Sequence, residues 1–124
     1  MHFVVDGMNV IGTRPDGWWR DRNAAMARLV DDLERFSAAT GDDVTVVFER
    51  PPRPPLRSSV IEITHAPRPK PDAADYKILE LVKAHENPAS LHVVTSDNWL
   101  ADAARDAGAI VEPSEGFRSR LEAV

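Results

Sequence analysis

Three short apolar runs in this sequence each end in an acidic residue: Phe3-Val4-Val5-Asp6, Val44-Thr45-Val46-Val47-Phe48-Glu49 and Leu91-His92-Val93-Val94-Thr95-Ser96-Asp97. Near-continuous runs of aliphatic and β-branched residues are how strands buried on both faces read, and such strands belong to parallel sheets covered by helices. Parallel strands deliver their carboxyl ends to one edge of the sheet. Acidic residues far apart in sequence are thereby carried to the crevice where open α/β folds bind ligands, and a set of carboxylate oxygens there suits a hard divalent cation.

At 124 residues the chain reads as one domain, 1–124, large enough to bury a core without staples. It contains no cysteine, so disulfides, thiolate zinc sites and cysteine nucleophiles are excluded, and any metal is held by oxygen or imidazole. The N-terminus runs directly into an apolar stretch without a signal-type segment, and no apolar stretch approaches the ~20 residues that span a bilayer. The expectation is a cytoplasmic protein with no membrane association. A net charge of -5 argues on its face against a nucleic-acid partner. The charge is unevenly spread, however: Arg50, Arg53, Arg57, Arg68 and Lys70 against Glu62 leave residues 50–70 at +4 and the rest of the chain at -9. That segment is either a local basic patch or a set of solvated loop charges beside prolines.

After the first strand, Gly7, Gly12, Pro15 and Asp16 mark a strand-to-loop transition. Met26, Leu29, Val30, Leu33 and Phe36 then recur at helical spacing, which predicts a helix over 22–39 closed by Gly41. The second strand, 44–48, enters Arg50-Pro51-Pro52-Arg53-Pro54-Pro55, a segment that cannot pair inside a sheet and reads as an extended loop. A short strand over 60–64 alternates with Glu62 in the manner of a sheet edge. A second proline cluster, Pro67, Pro69 and Pro71, leads to a helix over 73–85 ended by Asn87-Pro88. Strand four spans 91–95, a helix begins near Asn98 and stops at Gly108, a last strand covers 109–111, and a final helix starts near Ser114. This order predicts an α/β three-layer sandwich around a mainly parallel sheet of about five strands, of Rossmann-like topology.

Asp6 is the sharpest single residue, because it ends the first strand and is followed at once by Gly7. Its simplest structural role would be an Asx turn. Asn9 is placed either to orient a water or phosphate or to cap its own turn. Asp97 precedes a helix, so Ser96 or Asp97 is a natural N-cap, a role compatible with binding because a helix N-terminus also favours anions. Asp72 and Asp75 form a D-x-x-D at a helix start, with Asp72 as cap. Asp75 lies three, four and seven positions before Ile78, Leu79 and Val82, so it projects near the apolar face, where a carboxylate is costly unless paired or metal-bound. Glu49, Asp72, Ser96 and Asp102 are candidates for an outer shell, although Glu49 has Arg50 as a neighbour and Asp102 reads as a surface position. Asp31, Asp32, Asp42 and Asp43 read as solvated, and His2, His65, His85 and His92 show no ligand spacing.

Val4-Val5-Asp6-Gly7-Met8-Asn9-Val10-Ile11-Gly12, Asp72-Ala73-Ala74-Asp75 and Thr95-Ser96-Asp97 together resemble the NYN domain of the PIN-like nuclease superfamily, closest to its YacP-like branch. The D-G-x-N-V-I stretch is fairly specific, and the resemblance covers nearly the whole chain. It implies that Asp6, Asp75 and Asp97 bind Mg2+ or Mn2+ for hydrolysis of RNA phosphodiester bonds, with Asn9 completing the catalytic set. It further implies an RNA partner, either free or associated with the ribosome. Arg50, Arg53, Arg57, Arg68 and Lys70 become candidates for the RNA backbone, and Trp18, Trp19 and Trp99 for stacking on unpaired bases. Two positions depart from the family pattern: Met8 stands where tyrosine is usual, and Glu49 where aspartate is more common.

Other acidic α/β sites fit less well. A phosphoaspartyl phosphatase wants a second aspartate at position 8, a receiver domain wants one ending strand three, and dinucleotide binding wants G-x-G-x-x-G. The serious alternative is a catalytically silent module that binds RNA or a ribosome on the same fold.

Overall fold

The structure is a computed structural model that describes residues 1–68 and 70–124; Pro69, in the second proline cluster, lies outside the described residues. Five strands, β1 (His2–Asp6), β2 (Asp43–Phe48), β3 (Glu62–His65), β4 (Leu91–Val94) and β5 (Ile110–Glu112), form one sheet in the order β3-β2-β1-β4-β5. All four pairings are parallel, so the expected mainly parallel sheet is parallel throughout. Five helices complete the chain: α1 (Gly7–Ile11), α2 (Arg22–Thr40), α3 (Ala73–Ala84), α4 (Asn98–Asp106) and α5 (Ser114–Glu122).

The period-two alternation of a strand divides the core into two layers. Phe3 and Val5 of β1 face α1, α2 and α5, where they meet Val10, Leu29, Leu33, Phe36 and Phe117. Val4, between them, faces α3 and α4 and meets Ile78, Val82, Leu100 and Ala104. Phe3, Phe36 and Phe117 form a triangle with ring centroids 5.3 to 5.4 Å apart. Such aromatic pairs contribute about 0.5–1.5 kcal/mol each beyond the area they bury. Among the described residues no helix is long and apolar enough to cross a membrane.

The connectivity decides where a ligand can sit. From β1 the chain steps outward through β2 to β3, then α3 carries it back across the sheet to β4 on the other side of β1. The strand order therefore reverses between β1 and β4, and the crevice beyond their carboxyl ends is the topological switch point.

Several expectations need correction. The segment after β1 is not a loop: Gly7 opens α1 directly, and it can do so because a Cβ at that position would fall 2.6 Å from Cε1 of the buried Phe48. The third strand begins at Glu62 rather than at 60, because the Ser58 hydroxyl accepts hydrogen bonds from the amides of Val60 and Ile61 and holds them in a turn. The last strand is shifted by one residue, since the amide of Ala109 still donates to the carbonyl of Ala104 at the end of α4. Asp32 is not a solvated surface residue. It is buried and accepts from the equally buried Arg14 at 2.6 Å, and Arg35 pairs with its other oxygen.

Candidate functional site

Asp6, the last residue of β1, is buried at the switch point. The hydroxyl of Thr95, itself 1% exposed, donates to its Oδ2 at 3.0 Å. Burial raises the pKa of Asp6 to about 7; the charge of Asp75 and, more weakly, that of Asp97 push the same way, against the Thr95 hydrogen bond and the nearby Asn9 amide. Asp75 sits in the first turn of α3 and is 7% exposed, so it does face inward as its spacing from Ile78, Leu79 and Val82 predicts. Its pKa is raised to about 6, first by burial and then by the charges of Asp97, Asp72 and Glu49. Asp97 caps α4, its Oδ1 accepting from the amide of Leu100 at 2.8 Å, while its own amide donates to the Thr95 hydroxyl at 3.1 Å.

Three carboxylates from β1, α3 and the β4–α4 junction thus act on one another. Among the described residues no lysine or arginine forms a salt bridge with any of them. Asp72, Asp75 and Asp97, with Tyr76 and Trp99, line a cavity of about 170 Å³. Among the described residues, however, no group of three or more His, Cys, Asp or Glu side chains is drawn together into a formed metal-binding cluster. The acids are close enough to perturb one another without making a closed coordination shell.

The surrounding residues divide clearly. Asn9 does not cap its own turn: its Oδ1 accepts from the amide of Ser96 at 2.8 Å and from the hydroxyl of Ser114 at 2.6 Å, tying α1 to the β4–α4 loop and to the start of α5. The Ser96 hydroxyl extends this link by accepting from the amide of Ser114. Asp72 occupies the N-cap position of α3 without making a cap hydrogen bond, in a left-handed conformation with φ of 64° that Asp tolerates better than most residues. Its carboxylate instead lines the acidic cavity. Glu49 lines a small pocket with Met8, Arg22, Met26 and Arg50, near enough to Asp75 to raise its pKa. Asp102 lies outside the group, exposed and paired with Arg105 at 3.6 Å.

The five basic candidates do not form one patch. Arg68 and Lys70 line a groove of about 200 Å³ with Lys77 and Tyr76, whereas Arg50 lines the pocket of Glu49, and Arg53 and Arg57 are exposed on the proline loop. Thr95 and Ser114 were not singled out as contributors from the sequence. Thr95 lay inside the T-S-D stretch, where a hydroxyl two residues before an aspartate at a strand end was the available signal; Ser114 had none beyond its place at a helix start.

Comparisons with known proteins agree with this architecture. A family model described as the YacP-like NYN domain matches residues 3–124. The crystal structure of Rae1 (YacP) from Bacillus subtilis superposes with a TM-score of 0.82 at 25% identity, over 99% of this chain and 74% of that one. A tryptophan-to-leucine mutant of the same protein gives 0.78 at 25% identity, over 98% of this chain and 75% of that one. No curated protein matches the chain.

Proposed function

Because the chain belongs to the family of YacP-like NYN domains, a nuclease-like family, we propose that it is a metal-dependent endoribonuclease centred on Asp6, Asp75 and Asp97. The observation that carries this reading is the gathering of three acids from β1, α3 and the β4–α4 junction at the switch point, where among the described residues no lysine or arginine forms a salt bridge with them and their raised pKa values point the same way. Hard carboxylate oxygens suit Mg2+ or Mn2+.

When bound, the ion supplies positive charge at the scissile phosphate and lowers the pKa of the attacking water, so no protein nucleophile is required. The chain supplies the positions. Thr95 holds Oδ2 of Asp6, and Leu100 holds Oδ1 of Asp97, so each acid would offer its other oxygen to an ion. With its pKa raised to about 7, Asp6 would give up its proton to hold a cation. Asn9 holds the β4–α4 loop, and with it Asp97, in register with β1. This gives the Oδ1 of Asn9 a positioning role, alongside the orienting of water or phosphate expected of its side chain.

The test is cleavage of RNA with magnesium or manganese by the wild type and by Asp6→Asn and Asp97→Asn. Asp97→Asn is a clean variant because an amide oxygen can still cap Leu100. Cleavage that disappears in both variants while their melting transitions persist supports the assignment. Cleavage that survives either substitution, or chelation, removes it. Wild type that binds RNA without cutting it, with manganese and ribosomes supplied, establishes the silent module instead.

A further inference from the structure

Tyr76 and Trp99 are among the most exposed large apolar side chains of the protein, at 60% and 49%, yet they lie against each other with ring centroids 5.2 Å apart and planes at 51°. Nothing in the core calls for them. The layer beneath is closed by Ala74, Ile78, Leu100 and Ala104, all buried. The other two tryptophans have partners: Trp18 packs on the core with Arg22 over its ring at 5.3 Å, and Trp19 carries Arg20 at 6.0 Å. Tyr76 follows Asp75 directly and Trp99 comes two residues after Asp97, so both rings project from first helical turns that also carry acids of the cluster. They share the 170 Å³ cavity with Asp72, Asp75 and Asp97, and Tyr76 also borders the groove lined by Arg68, Lys70 and Lys77.

We propose that Tyr76 and Trp99 together form a nucleobase-binding step at the mouth of the acidic cavity, which seats the unpaired base of the nucleotide flanking the scissile phosphate. Three observations point the same way. Aromatic faces beside a phosphate-handling centre accept any base by stacking, whereas a base paired in a duplex has both faces covered. The groove that Tyr76 also lines offers Arg68 and Lys70 to the continuing backbone, while its Lys77 is paired with Glu80 at 3.7 Å, as single-strand sites combine stacking with a positive track. The tilt of 51° between the rings leaves a wedge rather than a closed stack, so a planar base can lie on one face with the other ring at its edge. The step makes the site selective for single-stranded RNA by geometry.

This inference rests on the acidic cluster being the reaction centre, and the experiment separates the two. Binding of a fluorescein-labelled single-stranded octaribonucleotide is followed by anisotropy on an Asp6→Asn background, with intactness of the RNA checked on a gel. A duplex of the same sequence serves as control. Trp99→Ala and Tyr76→Ala should each weaken single-strand binding about tenfold, leave the duplex unchanged and leave the melting temperature unchanged. Trp99→Phe and Tyr76→Phe should restore most of the affinity. Wild-type-like binding by both alanine variants, equal loss for duplex and single strand, or no single-strand binding at all overturns the step. Cleavage by the otherwise unmodified protein is scored separately. Metal-dependent cleavage with unaltered KM in Trp99→Ala removes the step and keeps the nuclease, whereas stacking-dependent binding without cleavage keeps the step and removes the nuclease.

Discussion

Replacing Asp6 by Asn should stabilise the protein while disabling its site. In the folded chain the carboxyl of Asp6 is raised from an ordinary 3.8 to about 7, chiefly by burial and then by Asp75. At about 1.36 kcal/mol per pKa unit, keeping this group ionised costs the folded state about 4 kcal/mol. A carboxyl whose folded pKa is raised lends stability that is fully present below the unfolded value and is lost as the pH climbs through the folded one. Wild type should therefore lose up to about 1.4 kcal/mol per pH unit between about 4 and 7 from this group, and little beyond. Asn cannot ionise, and its amide oxygen can still accept from Thr95. The measurement is urea unfolding of both proteins from pH 4 to pH 8. Asp75 is common to both proteins, so the difference reports Asp6 together with its coupling to Asp75. That difference should grow in favour of the variant and level off near pH 8. Manganese at pH 8 should stabilise wild type and leave Asp6→Asn unmoved. A difference that stays flat with pH would refute the argument that burial holds an uncompensated charge at Asp6. An equal gain from manganese in both proteins would remove Asp6 from the cation site.

Three further substitutions probe the frame around the acids. Gly7→Ala places a Cβ 2.6 Å from the buried ring of Phe48 and should cost about 1–3 kcal/mol in urea unfolding; an unchanged midpoint would show that the contact relaxes freely. Thr95→Val keeps the shape but removes the hydroxyl shared by Asp6 and the amide of Asp97, which should cost about 1–3 kcal/mol and weaken manganese binding measured by calorimetry. Thr95→Ser should restore both, and failure to do so would assign the effect to the methyl group. Asp32→Asn strands the buried guanidinium of Arg14 and should cost about 3–5 kcal/mol in thermal or chemical unfolding. RNA cleavage per folded molecule should not change, and a specific loss of cleavage would tie this ion pair to the site.

What could be read in advance from the sequence, and what could not, follows the range of the interactions involved. The direction of the sheet and the placing of Asp6 and Asp97 at its carboxyl edge were legible because apolar runs and the residues that end them are local signals. The inward face of Asp75 was legible because a helix repeats its neighbours every three to four residues. The Asp72 cap was misjudged since its position is right while its backbone adopts a left-handed turn that leaves the side chain out of reach of the helix amides. Asp32 looked like half of an acidic surface pair until Arg14, eighteen positions earlier, arrived from the loop after α1 to bury it. The start of α1 at Gly7 was hidden for a similar reason: only Phe48, on a neighbouring strand, shows why a side chain is excluded there. Asn9 stood out as a candidate but not as a tie, because both of its partners lie in the last third of the chain.

That tie sets an order of events for the growing polypeptide. Asn9 and Ser114 are separated by 105 positions, and the loop bearing Asp97 is fastened through both. A chain emerging from the ribosome presents Asp6, Asp75 and Asp97 well before Ser114 arrives to fasten that loop. Completion of the final helix adds the last fastenings of that loop, so unfinished copies carry all three acids but hold Asp97 by fewer ties. Releasing a chain cut just before Ser114 and finding it as well aligned as the whole, by manganese affinity, would show that the fastening is dispensable.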